Sequence, residues 1–226
     1  MNVRFLIGAA ALAALSIPSL CAAQGAAREP GFSFGLNLIY LDSKTLDFNG
    51  GSKLNIHDDF GAALTFGYDL NPKIELEFTL DWNNVDYDGQ IRSADIAGLS
   101  ANVRGEMETW VPRFTARYNF MPGPFTPFVG AGLGWAFVDT NIPTGRVETG
   151  CWWDPWWGQI CTAVQPTKSA DSFTYSGELG LRYDPNPNWS ARFFYRKQWY
   201  DWSHATGSQD LDTIQLGFVY KYAYGF

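Results

Sequence analysis

Few side chains in this sequence have both the type and the spacing that chemistry requires. A Ser–His hydrolase or acyltransferase needs a nucleophile within hydrogen-bond reach of a base, and the nearest approximation is the neighbouring pair Ser203 and His204. No motif of such an enzyme surrounds them. Acidic pairs such as Asp86 and Asp88 lack the spacing of a calcium loop, so solvated charge is the simpler interpretation. The sequence therefore predicts no enzyme, no catalytic residue, no cofactor and no metal site.

A larger set of ionisable side chains recurs at alternate positions. The set predicted to share one face is Glu75, Glu77, Asp81, Arg113, Arg117, Glu178, Arg182, Arg192, Arg196 and Lys221. Its four acids and six bases are close to balance, which is expected of buried charges because an unpaired one is costly. Asp59, Asp69 or water is expected to make up the difference.

The elements that must position these charges are β-strands. From Ile74 to Trp82 the chain alternates without a break, and Trp82 ends the apolar row. Glu75, Glu77 and Asp81 lie on the opposite row. Side chains along a strand alternate between two faces, so this stretch predicts a strand with one apolar face and one charged face.

The pattern occurs eight times along the chain. Strands are predicted at 31–42, 59–70, 74–82, 106–120, 125–138, 172–183, 189–200 and 211–226, with a bulge or irregularity at Pro112 because proline removes a ladder donor. Long polar connections at 43–58, 83–105, 139–171 and 202–210 alternate with short turns rich in proline and asparagine. This asymmetry predicts an all-β fold, an eight-stranded antiparallel barrel with its long loops at one end and its short turns at the other.

The ends and the charge of the chain narrow its environment. Residues 1–23 have a basic start, a short apolar run and a small-residue end, which predict a secretory signal peptide. A short N-terminal leader (24–30) and the barrel (31–226) follow. A net charge of −7 without a basic patch argues against nucleic acid as a partner. In an exported protein, Cys151 and Cys161 predict a disulfide rather than a metal pair.

The apolar face could point into a ligand cavity or out into lipid. Aromatic residues make up 17% of the chain, and eight strands leave an interior only just wide enough for side chains. So many large side chains cannot all point inward, and the sequence predicts a transmembrane barrel with the charged face inside. Two aromatic belts are expected, with Tyr40, Trp82, Trp110, Trp135, Trp199 and Trp202 on the loop side and Tyr68, Phe120, Phe125, Trp189, Tyr222 and Tyr224 on the turn side.

Two segments resemble a known family. Residues 125–134 read FTPFVGAGLG, and the chain ends in Tyr224-Gly225-Phe226. Both are similar to segments of the outer-membrane β-barrel family that includes the opacity-type surface proteins and the OmpA-like transmembrane barrel. The resemblance implies a Gram-negative outer membrane, contact with its lipid and lipopolysaccharide, and recognition of Phe226 by the barrel-assembly machinery. It implies no single activity, because members serve as surface antigens, adhesins, tethers and small pores.

Three functions remain open at this point. The first is a small barrel with a polar, largely plugged lumen that presents four surface loops for structural or interaction roles. The second is a narrow porin or small-solute carrier, favoured by inner glycines at 130, 132 and 134 that suggest free volume. The third, least expected, is a lipid-modifying membrane enzyme using a Ser–His pair.

The cysteine loop is the most unusual stretch. Between Cys151 and Cys161 lie four tryptophans in six positions, namely Trp152, Trp153, Trp156 and Trp157. They predict either an exposed aromatic patch for a glycan, a lipid headgroup or a protein, or a lid that folds over the barrel mouth and buries its rings.

Overall fold

The computed structural model describes residues 28–47, 53–92, 100–143, 148–164, 167–201 and 209–223. The predicted signal peptide, most of the leader, Ser203, His204 and Phe226 lie outside these ranges. Across the described ranges, no helix is long and apolar enough to cross a membrane.

Eight of the described strands close into one antiparallel barrel, as predicted. They are β1 (Gly31–Leu41), β4 (Asp59–Asp69), β5 (Ile74–Arg92), β6 (Ser100–Asn119), β7 (Phe125–Pro143), β10 (Thr167–Asn186), β11 (Trp189–Tyr200) and β12 (Gln209–Ala223). Each pairs with the next in this order, and the pairing of β1 with β12 closes the barrel. Short turns join the strands at one end, called the turn end, and the longer connections lie at the other, the loop end.

Four shorter strands extend the loop end, where the sequence predicted only loops. Strands β2 (Lys44–Asp47) and β3 (Lys53–Ile56) form a hairpin, and β3 adds to the edge of β5. Strands β8 (Glu148–Asp154) and β9 (Gly158–Val164) form a second hairpin that is a separate sheet. The described chain therefore carries ordered structure beyond the barrel wall.

The stagger of the strands sets the width of the barrel. Following paired residues once round from Gly31 leads back to Leu41, ten residues further along β1. A stagger of this kind goes with strands tilted by roughly 35–45° to the axis, and eight strands then enclose a space that side chains can fill. Inward side chains from opposite walls can therefore meet.

Strands β5 and β6 are longer than the sequence predicted. They continue through 83–105, which had been assigned to a loop, and they remain paired as far as Arg92 and Ser100. The alternation does not stop at Trp82; its sense reverses. Val85 and Tyr87 are buried inside the barrel, whereas Asn84 and Asp86 are exposed. The outward apolar row therefore ends where the barrel wall leaves the lipid, whereas the strand continues beyond that level.

Of the two alternatives predicted at Pro112, the structure shows a local irregularity and no bulge. The register between β5 and β6 runs unbroken past Leu80 and Pro112. On the other side, β6 pairs with β7 at the same offset before and after the gap, from Trp110↔Phe137 to Arg113↔Gly134. The missing N–H of proline removes ladder pairing locally but leaves the register intact.

Candidate functional site: the barrel interior and the loop end

All ten charged side chains predicted for the inner face lie inside the barrel, each exposed by 8% or less. They come from β5, β6, β10, β11 and β12, and they point inward because they occupy the strand positions opposite the apolar outer row. Removing an ion from water costs several kcal/mol, so each of these groups requires an opposite charge or hydrogen-bond partners.

The ion pairs nearest the loop end centre on Asp81. Its Oδ2 accepts from Arg113 Nη1 at 2.8 Å and from Arg196 Nη1 at 3.0 Å. Arg113 also donates to the side-chain oxygen of Gln198. Arg196 Nε reaches Glu178 Oε2 at 3.1 Å, which carries the chain of charges toward the turn end.

Two arginines continue this chain through the middle of the interior. Arg117 donates through Nε to Glu178 and through Nη1 to Glu77 Oε2, the latter at 2.5 Å. Arg192 Nη1 donates to the same Glu77 oxygen at 2.5 Å, and its Nη2 donates to Glu75. Acids and bases thus alternate across facing walls.

Arg182 anchors the turn end of the chain. It donates to Glu75 Oε2 at 2.8 Å, to Asp69 Oδ2 at 3.2 Å and to Asp184 Oδ1 at 3.1 Å. Lys221 Nζ lies 3.0 Å from the same Asp184 oxygen. An unbroken acid–base series, called the ion chain below, therefore runs from Arg113 to Lys221.

The structure adds members that the sequence had not assigned. Asp69, one of the two acids suggested to balance the bases, joins the ion chain through Arg182. Asp59, the other, does not: it lies toward the loop end, where its Oδ1 accepts the Phe60 amide at 2.6 Å. Asp184 and Arg28 were missed because they lie in a predicted turn and in the predicted leader. Among the described residues, the interior holds six acids and seven bases once these three are counted.

Arg28 closes the turn end of the barrel. Its guanidinium donates to Asp184 Oδ2 at 2.6 Å, to the carbonyls of Pro72, Met121 and Gly123 at 3.0–3.3 Å, and to Thr126 Oγ1 at 2.6 Å. One buried side chain therefore holds together two turns, β7 and the end of β10. The planar, five-donor guanidinium suits this task, since a lysine ammonium has only three donors on a single atom.

Replacing Arg28 by methionine is expected to destabilise the barrel by about 1–3 kcal/mol, because the Asp184 carboxylate and three turn carbonyls lose a donor. Urea unfolding in lipid vesicles would measure the loss. Arg28→Lys, which keeps the charge, should recover only part of the stability. If Arg28→Lys equalled the wild type, the charge alone would matter and the bridging geometry would not.

Two buried phenylalanines pack among the charges and were not assigned to the interior from the sequence. Phe128 and Phe194 lie 5.9 Å apart between ring centroids. The Arg117 guanidinium lies 5.5 Å from the Phe128 ring and 5.2 Å from the Phe194 ring, and Arg196 lies 5.3 Å from Phe194. Desolvated arginines gain from such ring faces. The alternation that placed Arg192 and Arg196 inward also places Phe194 inward, so the signal was present.

The inner glycines of β7 do not leave free volume, contrary to the sequence-based argument. A Cβ on Gly130 would lie 2.8 Å from the Glu178 side chain, and one on Gly132 would lie 2.7 Å from Thr115 Oγ1. The glycines make room for neighbouring side chains of the interior.

On the loop side of Asp81 the interior becomes apolar. The residues that form this cluster, called the apolar cap, are Leu41, Ile56, Val85, Tyr87, Met107, Val111, Ala136, Val138, Tyr200 and Leu211. A cavity of about 20 Å³ lies between the cap and the polar side chains of Asp81 and Gln198, which is room for about one water molecule. The outer wall at this level is polar, so the barrel here is built like a soluble one.

A histidine–aspartate contact links the first hairpin, β2–β3, to strand β5 beside the apolar cap. His57 Nε2 lies 2.6 Å from Asp88 Oδ1, and the Asn55 amide donates to Asp88 Oδ2 at 3.3 Å. These two hydrogen bonds lower the pKa of Asp88, and the one with His57 has the larger effect. Both side chains are solvent-accessible, so the pair marks the docking of β3 on β5 without adding a buried charge.

Aromatic rings line the outer wall at two levels, in the positions predicted for the belts, apart from Trp202 and Tyr224, which fall outside the described residues. At the loop side three of the indoles donate hydrogen bonds to acids that lie nearer the loop end. Glu108 Oε1 accepts from Trp82 Nε1 at 2.8 Å and from Trp110 Nε1 at 3.0 Å, and Asp171 accepts from Trp135 at 3.0 Å. Such amphipathic rings mark the boundary between lipid and water.

The second hairpin carries the predicted disulfide. Cys151 and Cys161 are directly opposite in the register of β8 and β9 and are bonded to each other. Trp153, Trp156 and Trp157 are exposed by 77%, 84% and 80%. These three rings do not form the predicted lid, in which they would be buried. The side chain of Trp152 lies outside the described part of the structure.

Replacing both Cys151 and Cys161 by serine is expected to loosen the hairpin and leave the barrel folded. A disulfide closing a short loop contributes roughly 2–3 kcal/mol, mostly by restricting the open chain. Hydrogen exchange should become faster in β8 and β9 only. Failure of the double variant to form a heat-modifiable barrel would contradict the separation of hairpin and wall.

An apolar outer wall with two aromatic belts, closed around paired charges, defines an integral outer-membrane β-barrel. The chain belongs to the family described as "Outer membrane protein beta-barrel domain", whose model matches residues 7–222. Its place is the bacterial outer membrane.

Solved structures similar to this chain include the following three, of which the first supports the fold. OprG of Pseudomonas aeruginosa is 18% identical with a TM-score of 0.54, over 88% of this chain and 98% of that one. Neisserial surface protein A is 15% identical with a TM-score of 0.49, over 85% and 97% of the two chains. Ail of Yersinia pestis is 14% identical with a TM-score of 0.44, over 85% and 97%. No curated protein matched the sequence.

Proposed function

We propose that this protein is a non-conducting barrel that serves structural and interaction roles at the cell surface, rather than an enzyme. The observation that carries the proposal is the ion chain, which alternates acids and bases without a break from Arg113 to Lys221. A solute on the axis would have to separate buried ion pairs, and breaking one such pair costs roughly 3–5 kcal/mol.

Two further features support closure. The apolar cap is lined mainly by aliphatic side chains, which cannot replace the hydration of a permeating ion at the loop end, and Arg28 ties the turns together at the turn end. With the interior filled, the surface available to partners is the loop end with its two hairpins. Lipopolysaccharide is the proposed neighbour of the loop-side aromatic belt, and the barrel-assembly machinery is proposed to recognise Phe226.

The first test is solute flux through the refolded protein in liposomes. The proposal expects flux no faster than in empty liposomes from a barrel whose folded state is confirmed by the gel shift between boiled and unboiled samples. A general porin in the same lipid is the positive control. Flux that falls with solute size would overturn the proposal and leave a narrow pore.

A narrow pore is a second candidate function because two buried hydroxyl groups on one wall of the interior lack hydrogen-bond partners among the described residues. Thr115 Oγ1 and Ser176 Oγ flank Gly132, and neither has a hydrogen-bond partner within the described ranges. Buried hydroxyls are usually satisfied, often by water. Such a pore would require the side chains around Gly132 to move apart and admit a file of water beside the ion chain, and replacing Ser176 by valine should then reduce the flux.

A further inference from the structure

We propose that the disulfide hairpin β8–β9 is a docking element for an apposed zwitterionic lipid bilayer, which deepens the proposed surface role and rests on it. The three exposed indoles, those of Trp153, Trp156 and Trp157, lie at or beside the turn of this hairpin. These three indoles are the part of the hairpin that would contact the apposed bilayer.

The turn is held in one conformation by its own hydrogen bonds. Asp154 Oδ1 accepts the backbone amides of Trp156 at 2.8 Å and Trp157 at 2.9 Å. Gly158 closes the turn at a φ of 74°, in the left-handed region that favours glycine. Together with the Cys151–Cys161 bond, these constraints fix the backbone that carries the indoles before any partner arrives, which lowers the entropic cost of binding.

The described end of strand β7 lies far from the protein's own bilayer. Strand β7 continues eight residues past Trp135, the belt indole, before the described strand ends at Pro143. At about 3.3 Å per residue this is roughly 26 Å of extended chain, or roughly 19–22 Å along the barrel axis once the strand tilt of roughly 35–45° is included. The hairpin therefore begins well outside the membrane in which the barrel sits.

The chemistry of the tip favours a neutral lipid surface. Indoles concentrate at lipid–water interfaces because the ring is apolar and its N–H is polar. Between Glu148 and Val164 the sequence has two acids and no Lys or Arg. An anionic membrane or an anionic polysaccharide would therefore be repelled, whereas a zwitterionic surface would not. A sugar platform would need several polar side chains around the rings, whereas Asp154 already serves the backbone and Gln159, opposite Trp153, is the one exposed polar side chain left at the described tip.

The test uses the full mature chain in lipid nanodiscs, mixed with separate phosphatidylcholine vesicles and separated by flotation. The wild type should float with the vesicles, and less so when anionic lipid is added. Replacing Trp153, Trp156 and Trp157 together by serine should reduce co-flotation by at least about tenfold, because three large apolar side chains no longer enter the interface. Gln159→Ser, an exposed position on the same hairpin, is the matched control and should float as the wild type does.

Folding of each variant is checked by the gel shift and by an intact disulfide. Three outcomes would overturn the proposal: no flotation of the wild type, unchanged flotation of the triple variant, or binding to neutral oligosaccharides in place of vesicles. The flux measurement is independent, since a conducting barrel can still dock and a closed barrel can fail to dock. Failure of the docking role is thereby distinguished from failure of the closed-barrel proposal.

Discussion

Replacing Glu178 by glutamine is expected to lower the free energy of unfolding by about 3–5 kcal/mol, the usual cost of breaking a buried ion pair. Glu178 receives Arg117 through one carboxylate oxygen and Arg196 through the other. All three side chains are at most 1% exposed. Glutamine keeps the shape but leaves two buried guanidiniums with one carboxylate fewer. Urea unfolding in lipid vesicles, followed by tryptophan fluorescence, measures the change.

Asp210→Asn is the matched control for this prediction. Asp210 also meets two cations, Lys44 at 2.6 Å and Lys197, but these side chains are 24–35% exposed. A solvent-exposed pair contributes about 0–1 kcal/mol, so the control should lose little. Equal losses in the two variants would mean that the barrel interior is as well solvated as its rim, and the closed-barrel proposal would lose its main support.

Replacing Val85 by aspartate is expected to cost at least about 3 kcal/mol, because it buries an unpaired carboxylate in the apolar cap. Val85 is 2% exposed and pairs across the ladder with Met107, itself a cap residue. Asn84→Asp, one position earlier, is the control, since that side chain is exposed on the polar outer face and the new charge opposite Glu108 should cost no more than about 1 kcal/mol. The same unfolding assay in vesicles compares the two.

This pair of variants separates two structures for residues 83–105. If the segment were the polar loop predicted from the sequence, both substitutions would be nearly neutral. If it is the inverted upper wall of the barrel, only Asn84→Asp is neutral. A stable Val85→Asp barrel would show that the apolar cap does not close the loop end.

Much of this protein could be read from alternation alone. The apolar row from Ile74 to Trp82 and its repeats predicted eight strands, the closed barrel and the membrane location, because strand geometry converts period two directly into two faces. The inward set from Glu75 to Lys221 followed from the same rule. The disulfide followed from two cysteines in an exported chain.

Other features were within reach of the sequence but were missed through the rule used to search for them. Val85 and Tyr87 continue the alternation of β5 with its sense reversed, and a search for outward apolar residues ends at Trp82. Phe194 lies between Arg192 and Arg196 on the same inward face. A rule that follows period two without fixing which side is apolar would have found all three.

What the sequence by itself determined was therefore the face on which each strand residue lies, since this depends only on neighbours along the chain. The tertiary structure alone decided which charges meet. Arg182 pairs with Glu75 from more than a hundred positions away, and Arg28 reaches three carbonyls and Asp184 from a segment with no pattern of its own. Such partners are set by the stagger of the closed barrel, which brings distant residues to one level of a narrow interior, and no local period of the sequence encodes that stagger.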